Sequence, residues 1–180
     1  MQRCGIDPVR FVFIDESGAK TNRTRLRGRA PCGERLVEHV PHGHWHTTTM
    51  ISAIRLTGVE APRVIDGAMD SLVFRGYVER VLAPTLHAGD IVVMDNLSPH
   101  KTAGVREAIE AVGASLLYLP PYSPDFNPIE AMGSKVKQSL RGAAARTSRT
   151  LLQAIGDALR SITLDDCRGF FRGCGYVATQ

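Results

Sequence analysis

Residues 89–96, "GDIVVMDN", place four consecutive apolar side chains between a turn and Asp95. A run that short, β-branched and unbroken is the pattern of a strand buried on both faces. Upstream, Val73, Tyr77, Val78, Val81 and Leu82 recur at helical spacing from Ser71 to Leu82. Downstream, Val105, Ala108, Ile109 and Val112 do the same before "ASLLYLP", a further strand at 114–120. A strand that arrives and leaves through helical crossovers pairs in parallel, with right-handed connections.

The first third of the chain reads differently. "RFVFIDESG" (10–18) is a short apolar strand running into Asp15. Between residues 24 and 56, Pro-Cys-Gly and Pro-His-Gly turn signals precede a β-branched run, so two antiparallel strands are expected there; "APRVIDG" is the third short strand of the region. A helix is expected from Pro128 and another over about 150–162, through Leu151, Ile155, Ala158 and Leu159. The predicted fold is therefore α/β: an antiparallel meander continued by parallel strands, a mixed five-stranded sheet flanked by helices.

Composition sets the broad class. With 180 residues, 43% of them hydrophobic and 22% charged, the chain is long enough for one full core and is typical of a globular domain. The N-terminus lacks the apolar core of a signal peptide, and no apolar run reaches the roughly 20 residues of a membrane span. A cytoplasmic location with no membrane partner is expected. Cys4, Cys32, Cys167 and Cys174 form no CxxC pair and are expected as free thiols. The net charge of +4 leans towards an anionic partner. Lys20, Arg23, Arg25, Arg27 and Arg29 fall within ten residues free of acids, either a solvated basic hairpin or a nucleic-acid contact.

Two strands end alike, in "FVFID" and "IVVMD". One such aspartate commonly starts a turn. Two, on strands that pair in parallel, would lie roughly 5 Å apart, beyond the carboxyl ends where ligand sites of α/β sheets gather. The segment "YLPPYSPDFNPIE" (118–130) holds four prolines in thirteen positions before the helix that carries Glu130. Asn127 as N-cap, Pro128 at N1 and Glu130 at N3 make an Asn version of the capping box. That motif leaves the stiff approach unexplained. Aiming Glu130 at Asp15 and Asp95 explains it, and both readings stand at this level. Three converging carboxylates without cysteine or a histidine set favour hard cations, Mg²⁺ or Mn²⁺. Two such ions about 3.5–4 Å apart serve phosphodiester cleavage.

The stretches "FVFIDESGAKTNRTRLRGRAP", "PHGHWHTTT", "IVVMDNLSPHK" and "LPPYSPDFNPIE" closely resemble the insertion-sequence branch of the Tc/mariner transposases, members of the DDE endonuclease superfamily. The 34 residues between Asp95 and Glu130 match the spacing of that superfamily, and the resemblance extends to the terminal "GCGY". It implies a ribonuclease-H-like fold in which Asp15, Asp95 and Glu130 are catalytic and bind two divalent ions. It further implies cleavage of double-stranded DNA at transposon ends and joining of the 3′-hydroxyl to target DNA. A homodimer and a bacterial, nucleoid-associated setting follow from the same resemblance.

The chain departs from the pattern twice. Gly133 stands where relatives carry an aromatic, three positions after the glutamate, at a cost of roughly 1 kcal/mol for glycine in a helix. The helix-turn-helix region of full-length relatives is not seen before "RFVFID", so a fragment or a separate N-terminal recognition polypeptide is expected. On this reading residues 1–145 are the catalytic domain and 146–180 a helical extension of it. A catalytically silent remnant that only binds DNA or a protein is the alternative from another class, and a nuclease that cleaves without joining is the enzymatic rival. A haloacid-dehalogenase-type phosphatase is disfavoured because Ser17 stands where its second aspartate is needed. Lys20, Arg23, Arg25, Asn96, His100, Lys135, Lys137 and Arg141 are the candidate nucleic-acid contacts. His39, His42, His44 and His46 match no zinc spacing and are read as structural.

Overall fold

The computed structural model describes residues 6–21, 28–37 and 48–176. Its sheet has five strands: β1 (Phe11–Ala19), β2 (Thr48–Arg55), β3 (Gly58–Asp66), β4 (Ile91–Met94) and β5 (Ser115–Tyr118), in the order β3-β2-β1-β4-β5. The meander β1-β2-β3 is antiparallel, whereas β4 pairs in parallel with both β1 and β5. Both crossovers carry the helices anticipated from periodicity, α1 (Ser71–Tyr77) before β4 and α2 (Val105–Glu110) before β5. α1 is shorter than its apolar pattern. Its last turns widen over Val78–Leu82 and tighten over Ala83–Thr85, where Pro84 cannot donate to a continuing ladder.

Alternation along β1 divides the core. Val12 and Ile14 face Phe74 and Tyr77 of α1 and Val105 and Ile109 of α2. Phe11 and Phe13 face the opposite layer, with Val93, Ile129, Met132 and Phe171. That layer comprises α3 (Pro128–Ala143), α4 (Ser148–Arg160) and α5 (Leu164–Gly173). Phe13 meets Phe171 edge-on, with ring centroids 5.4 Å apart, within a cluster that also holds Tyr176. Val136 and Leu140 of α3 continue into Leu151, Ile155 and Ala158 of α4. The helical face of the C-terminal segment is thus buried against α3 by the residues its 3.6-residue period marks.

Of the two strands expected in 24–56, β2 is one; residues 28–37 carry none, Gly33 turning there at φ 86°, and 24–27 and 38–47 lie outside the described residues. Gly133 does not interrupt α3, which runs unbroken through it. The neighbours Ile129, Met132 and Val136 are each at most 3% exposed and hold that helix by burial.

At the amino end of the parallel strands, Arg55 donates from Nε to Glu60 and from Nη2 to Asp90, each at 2.7 Å, and to the Thr85 carbonyl at 3.2 Å. This ionic knot ties the β2–β3 hairpin to the start of β4, leaving the other end of the sheet for the candidate site. No helix among the described residues is long and apolar enough to cross a membrane.

Candidate active site

Asp15 is not at a strand end. β1 pairs with β4 only from Phe11 to Phe13, yet stays paired with β2 as far as Ala19, and Asp15 lies opposite Ser52 in that ladder. The sheet therefore splits at Phe13: β1 continues with β2 while β4 stops at Met94. Phe13 lies opposite Val93, so Asp15 and Asp95 are each two residues beyond one matched pair. Side chains alternate along a strand, which puts Asp15 on the face of Phe13, towards α3. Glu130 is the third residue of α3, in its first turn.

Asp95, Asn96, Leu97, the loop 119–124, Asn127 and Glu130 line a cleft of about 370 Å³. The loop is fixed from several directions. Leu119 N–H donates to the Met94 carbonyl at 2.9 Å, Ser123 Oγ to Pro121 O at 3.3 Å, and the Tyr176 hydroxyl to Phe126 O at 2.9 Å. Tyr122 at its tip has φ 56° and is fully exposed. The expected capping box does not form: the Asn127 side chain makes no cap hydrogen bond, and its buried Oδ1 has no partner. The Glu130 N–H instead reaches the Asn127 backbone carbonyl at 3.1 Å. Both residues line the cleft.

The two aspartates are electrostatically opposite. Burial pushes the Asp15 carboxyl up to about 7, and the nearby charges of Glu130, Glu16 and Asp95 push the same way; only the Glu16 N–H, at 2.7 Å from Oδ1, opposes them. Asp95 is also penalised by burial, but His100 and the Leu97 N–H, 3.0 Å from Oδ1, more than offset this and hold it below the ordinary range.

His100 is the residue whose position departs most from expectation. Named from the sequence as a candidate nucleic-acid contact, it is 1% exposed. Its Nε2 lies 2.8 Å from Glu16 Oε2, and its Nδ1 lies 2.5 Å from Asp95 Oδ1, off the axis of an ideal hydrogen bond. The ring packs against Phe74 with centroids 4.4 Å apart, and its carbonyl accepts from the Tyr118 hydroxyl at 3.0 Å. Burial would depress its pKa, yet the two carboxylates raise it to about 10. Glu16 was missed in the sequence because it alternates to the face opposite Asp15, where only the folded position of residue 100 gives it a purpose.

The remaining candidates fall into groups. Asn96 is exposed at the cleft, and Lys20 and Arg141 are exposed. Lys137 is half-buried on α3. Lys135 is engaged elsewhere, its Nζ 2.5 Å from Asp166 Oδ2, joining α3 to α5. Arg23 and Arg25, like Arg27, Cys4 and the four histidines at 39, 42, 44 and 46, lie outside the described residues. Cys32, Cys167 and Cys174 are free thiols.

The donors lining the cleft are hard oxygens, those of Asp95 and Glu130 with the orphan amide oxygen of Asn127, and Asp15 lies near enough to feel the charge of both acids. Among the described residues no three His, Cys, Asp or Glu side chains are drawn close enough to share one ion. Asp95 is turned to His100, and Asp15 to its own neighbour's N–H. The charge coupling of Asp15 with Glu130 and Asp95 nonetheless fits a site for cations, whose charge would relieve that repulsion.

The model of the DDE superfamily endonuclease family matches residues 10–152. Among curated proteins, the Tcb2 transposase of Caenorhabditis briggsae is 27% identical over 171 residues, covering 88% of this chain and 62% of its own. The Tcb1 transposase of the same organism is 28% identical over 104 residues, 56% of this chain and 38% of its own. The chain thus spans less than two thirds of either relative. Among solved structures, the mariner Mos1 paired end complex with Mg superposes with a TM-score of 0.68 at 17% identity, over 92% of this chain and 51% of that one. The Mos1 catalytic domain with Raltegravir and Mn gives 0.60 at 16% identity, over 93% and 76%. At such identities the likeness shows the fold, which is the ribonuclease-H-like one.

Proposed function

The chain belongs to the DDE superfamily endonuclease family, and from that premise we propose that it is the catalytic domain of a Tc/mariner-type transposase, cleaving DNA at insertion-sequence ends and transferring the 3′ end into target DNA. One observation carries the reading. Asp15, Asp95 and Glu130 come from three separate elements, β1, the end of β4 and the first turn of α3, to the end of the sheet where β1 and β4 part. The charge of Glu130 and of Asp95 is felt at Asp15.

Asp15, Asp95 and Glu130 would hold two Mg²⁺ or Mn²⁺ ions; the relatives whose structures carry Mg or Mn support that choice. Such ions, when bound, supply Lewis-acid stabilisation of the attacking and leaving oxygens in phosphodiester displacement. The chain's own residues do the rest. The proline-stiffened loop fixes the wall of the cleft opposite Asp95. Glu130 in the first turn of α3 sits where the helix dipole favours an anion. Lys20, Lys137 and Arg141, with Arg23 and Arg25, are the cations assigned to DNA phosphates, which position the duplex without reading its bases. Double-stranded DNA is then the main partner, as transposon ends and as target. A second copy of the chain and a separate end-recognition polypeptide are the protein partners assigned on the same reading. The silent-remnant alternative drew part of its support from Gly133, and α3 runs continuous through that position.

The test is nicking of supercoiled plasmid by the purified chain with Mn²⁺, beside Asp95→Asn. Nicking that requires both metal and Asp95 supports the reading. Equal, negligible activity of the two folded proteins, even with an end-recognition partner added, refutes it.

A further inference from the structure

The mechanism above gives Glu16 and His100 no role, although His100 is buried and Glu16 half-buried next to its central carboxylate. His100 is enclosed: Phe74 covers the ring, Tyr118 holds its backbone carbonyl, and each ring nitrogen faces one carboxylate oxygen. Glu16 itself is anchored in the β1–β2 ladder opposite Ile51. Asp95, by contrast, has left the sheet. β4 ends at Met94, and the Leu97 N–H donates to Asp95 Oδ1, the same oxygen that faces His100. The rotamer of Asp95 is therefore set by what its side chain touches.

We propose that Glu16 and His100 form a buried tether that positions Asp95. Glu16, fixed by the sheet, holds Nε2. The ring transmits that position through Nδ1 to Asp95 Oδ1, leaving Oδ2 as the oxygen presented to a divalent cation. His100 and Glu16 are positioning residues in this arrangement, acting through Asp95 without touching substrate. The inference rests on the assignment of Asp95 as a metal ligand.

The two ring nitrogens can be tested separately. Asparagine at position 100 keeps an N–H donor near the place of Nδ1, and glutamine keeps one near the place of Nε2. If the tether acts at Asp95, each change cuts one of its two links, so His100→Gln and His100→Asn both weaken Mn²⁺ binding about 10–100-fold, the usual loss when an outer partner of a ligand is removed. Glu16→Ala should weaken binding as His100→Gln does, and combining the two should add little, because one tether can be cut only once. Binding would be measured on the full chain by electron paramagnetic resonance of free Mn²⁺, with thermal melting to confirm the folded state. A merely structural histidine would move the melting temperature and leave the Mn²⁺ affinity of the folded variants unchanged. Mn²⁺ affinity left unchanged in either folded position-100 variant overturns the tether, as do multiplicative losses in the double variant. Should both position-100 variants fail to fold, Glu16→Ala and Glu16→Gln decide, since unchanged Mn²⁺ affinity in the folded forms also overturns it. Asp95→Asn is the control for the underlying assignment: binding that survives this change refutes Asp95 as a ligand, whereas its loss beside unaffected tether variants refutes only the tether.

Discussion

Replacing Asp15 by asparagine should stabilise the metal-free protein at neutral and alkaline pH, although it removes a residue assigned to catalysis. The carboxyl is carried from its ordinary 3.8 to about 7, mainly by burial and then by the charges of Glu130, Glu16 and Asp95. At about 1.36 kcal/mol per pH unit of displacement, the fully ionised group costs the fold roughly 4 kcal/mol. Asp15 keeps some solvent contact, which screens part of this, so about 1–3 kcal/mol is expected. The sign follows from the raised pKa. Below about pH 4 the group is protonated whether folded or unfolded, and its stability is intact; that stability is lost as pH rises towards 7, and the loss then levels off. Asparagine keeps the oxygen that accepts the Glu16 N–H and never ionises. The assay is thermal melting of both proteins in chelator at pH 5 and pH 8. A gain of 2 kcal/mol corresponds to about 4–8 °C for a chain of this size, and the gain at pH 5 should be roughly a third of that at pH 8. A variant that melts lower than the parent at pH 8, or a gain independent of pH, would refute the electrostatic account of the site.

Three further outcomes are expected. Gly133→Ala should stabilise α3 by about 1 kcal/mol, because a Cβ there meets nothing within 4 Å and the helix gains propensity; urea unfolding reads it directly. Lys137→Ala should lower the slope of log DNA affinity against log salt by about one, and an unchanged slope would remove Lys137 from the phosphate contacts. Arg55→Met should destabilise by about 3–5 kcal/mol in denaturant titration, since it leaves the buried Asp90 carboxylate without its cation.

The sheet was readable where local pattern and burial agree. The apolar run 91–94 could only be interior, and the helical spacing on either side of it forced the parallel crossovers that the pairing of β1, β4 and β5 displays. Asp15 was placed at a strand end because its apolar run stops there. The antiparallel ladder with β2 carries the backbone four residues further regardless of side-chain polarity. The Asn127 capping box was read from spacing alone, but whether a side chain bends back to its helix depends on what else surrounds it. The sequence offered His100 as a nucleic-acid contact, whereas two carboxylates and an aromatic ring make an interior site habitable for it. That combination arises from residues 16, 74, 95 and 100, which no local window joins.

The divergence of β1 from β4 after Phe13 bears on how this chain tolerates changes of length. One residue inserted between Phe13 and Asp15 would swing the carboxylate from the layer of α3 to that of α1, and no side-chain substitution could bring it back. A deletion scan should therefore find single-residue indels lethal to activity over 13–15 and 93–95. Length changes in residues 28–37, which take no part in the sheet, should pass with little effect.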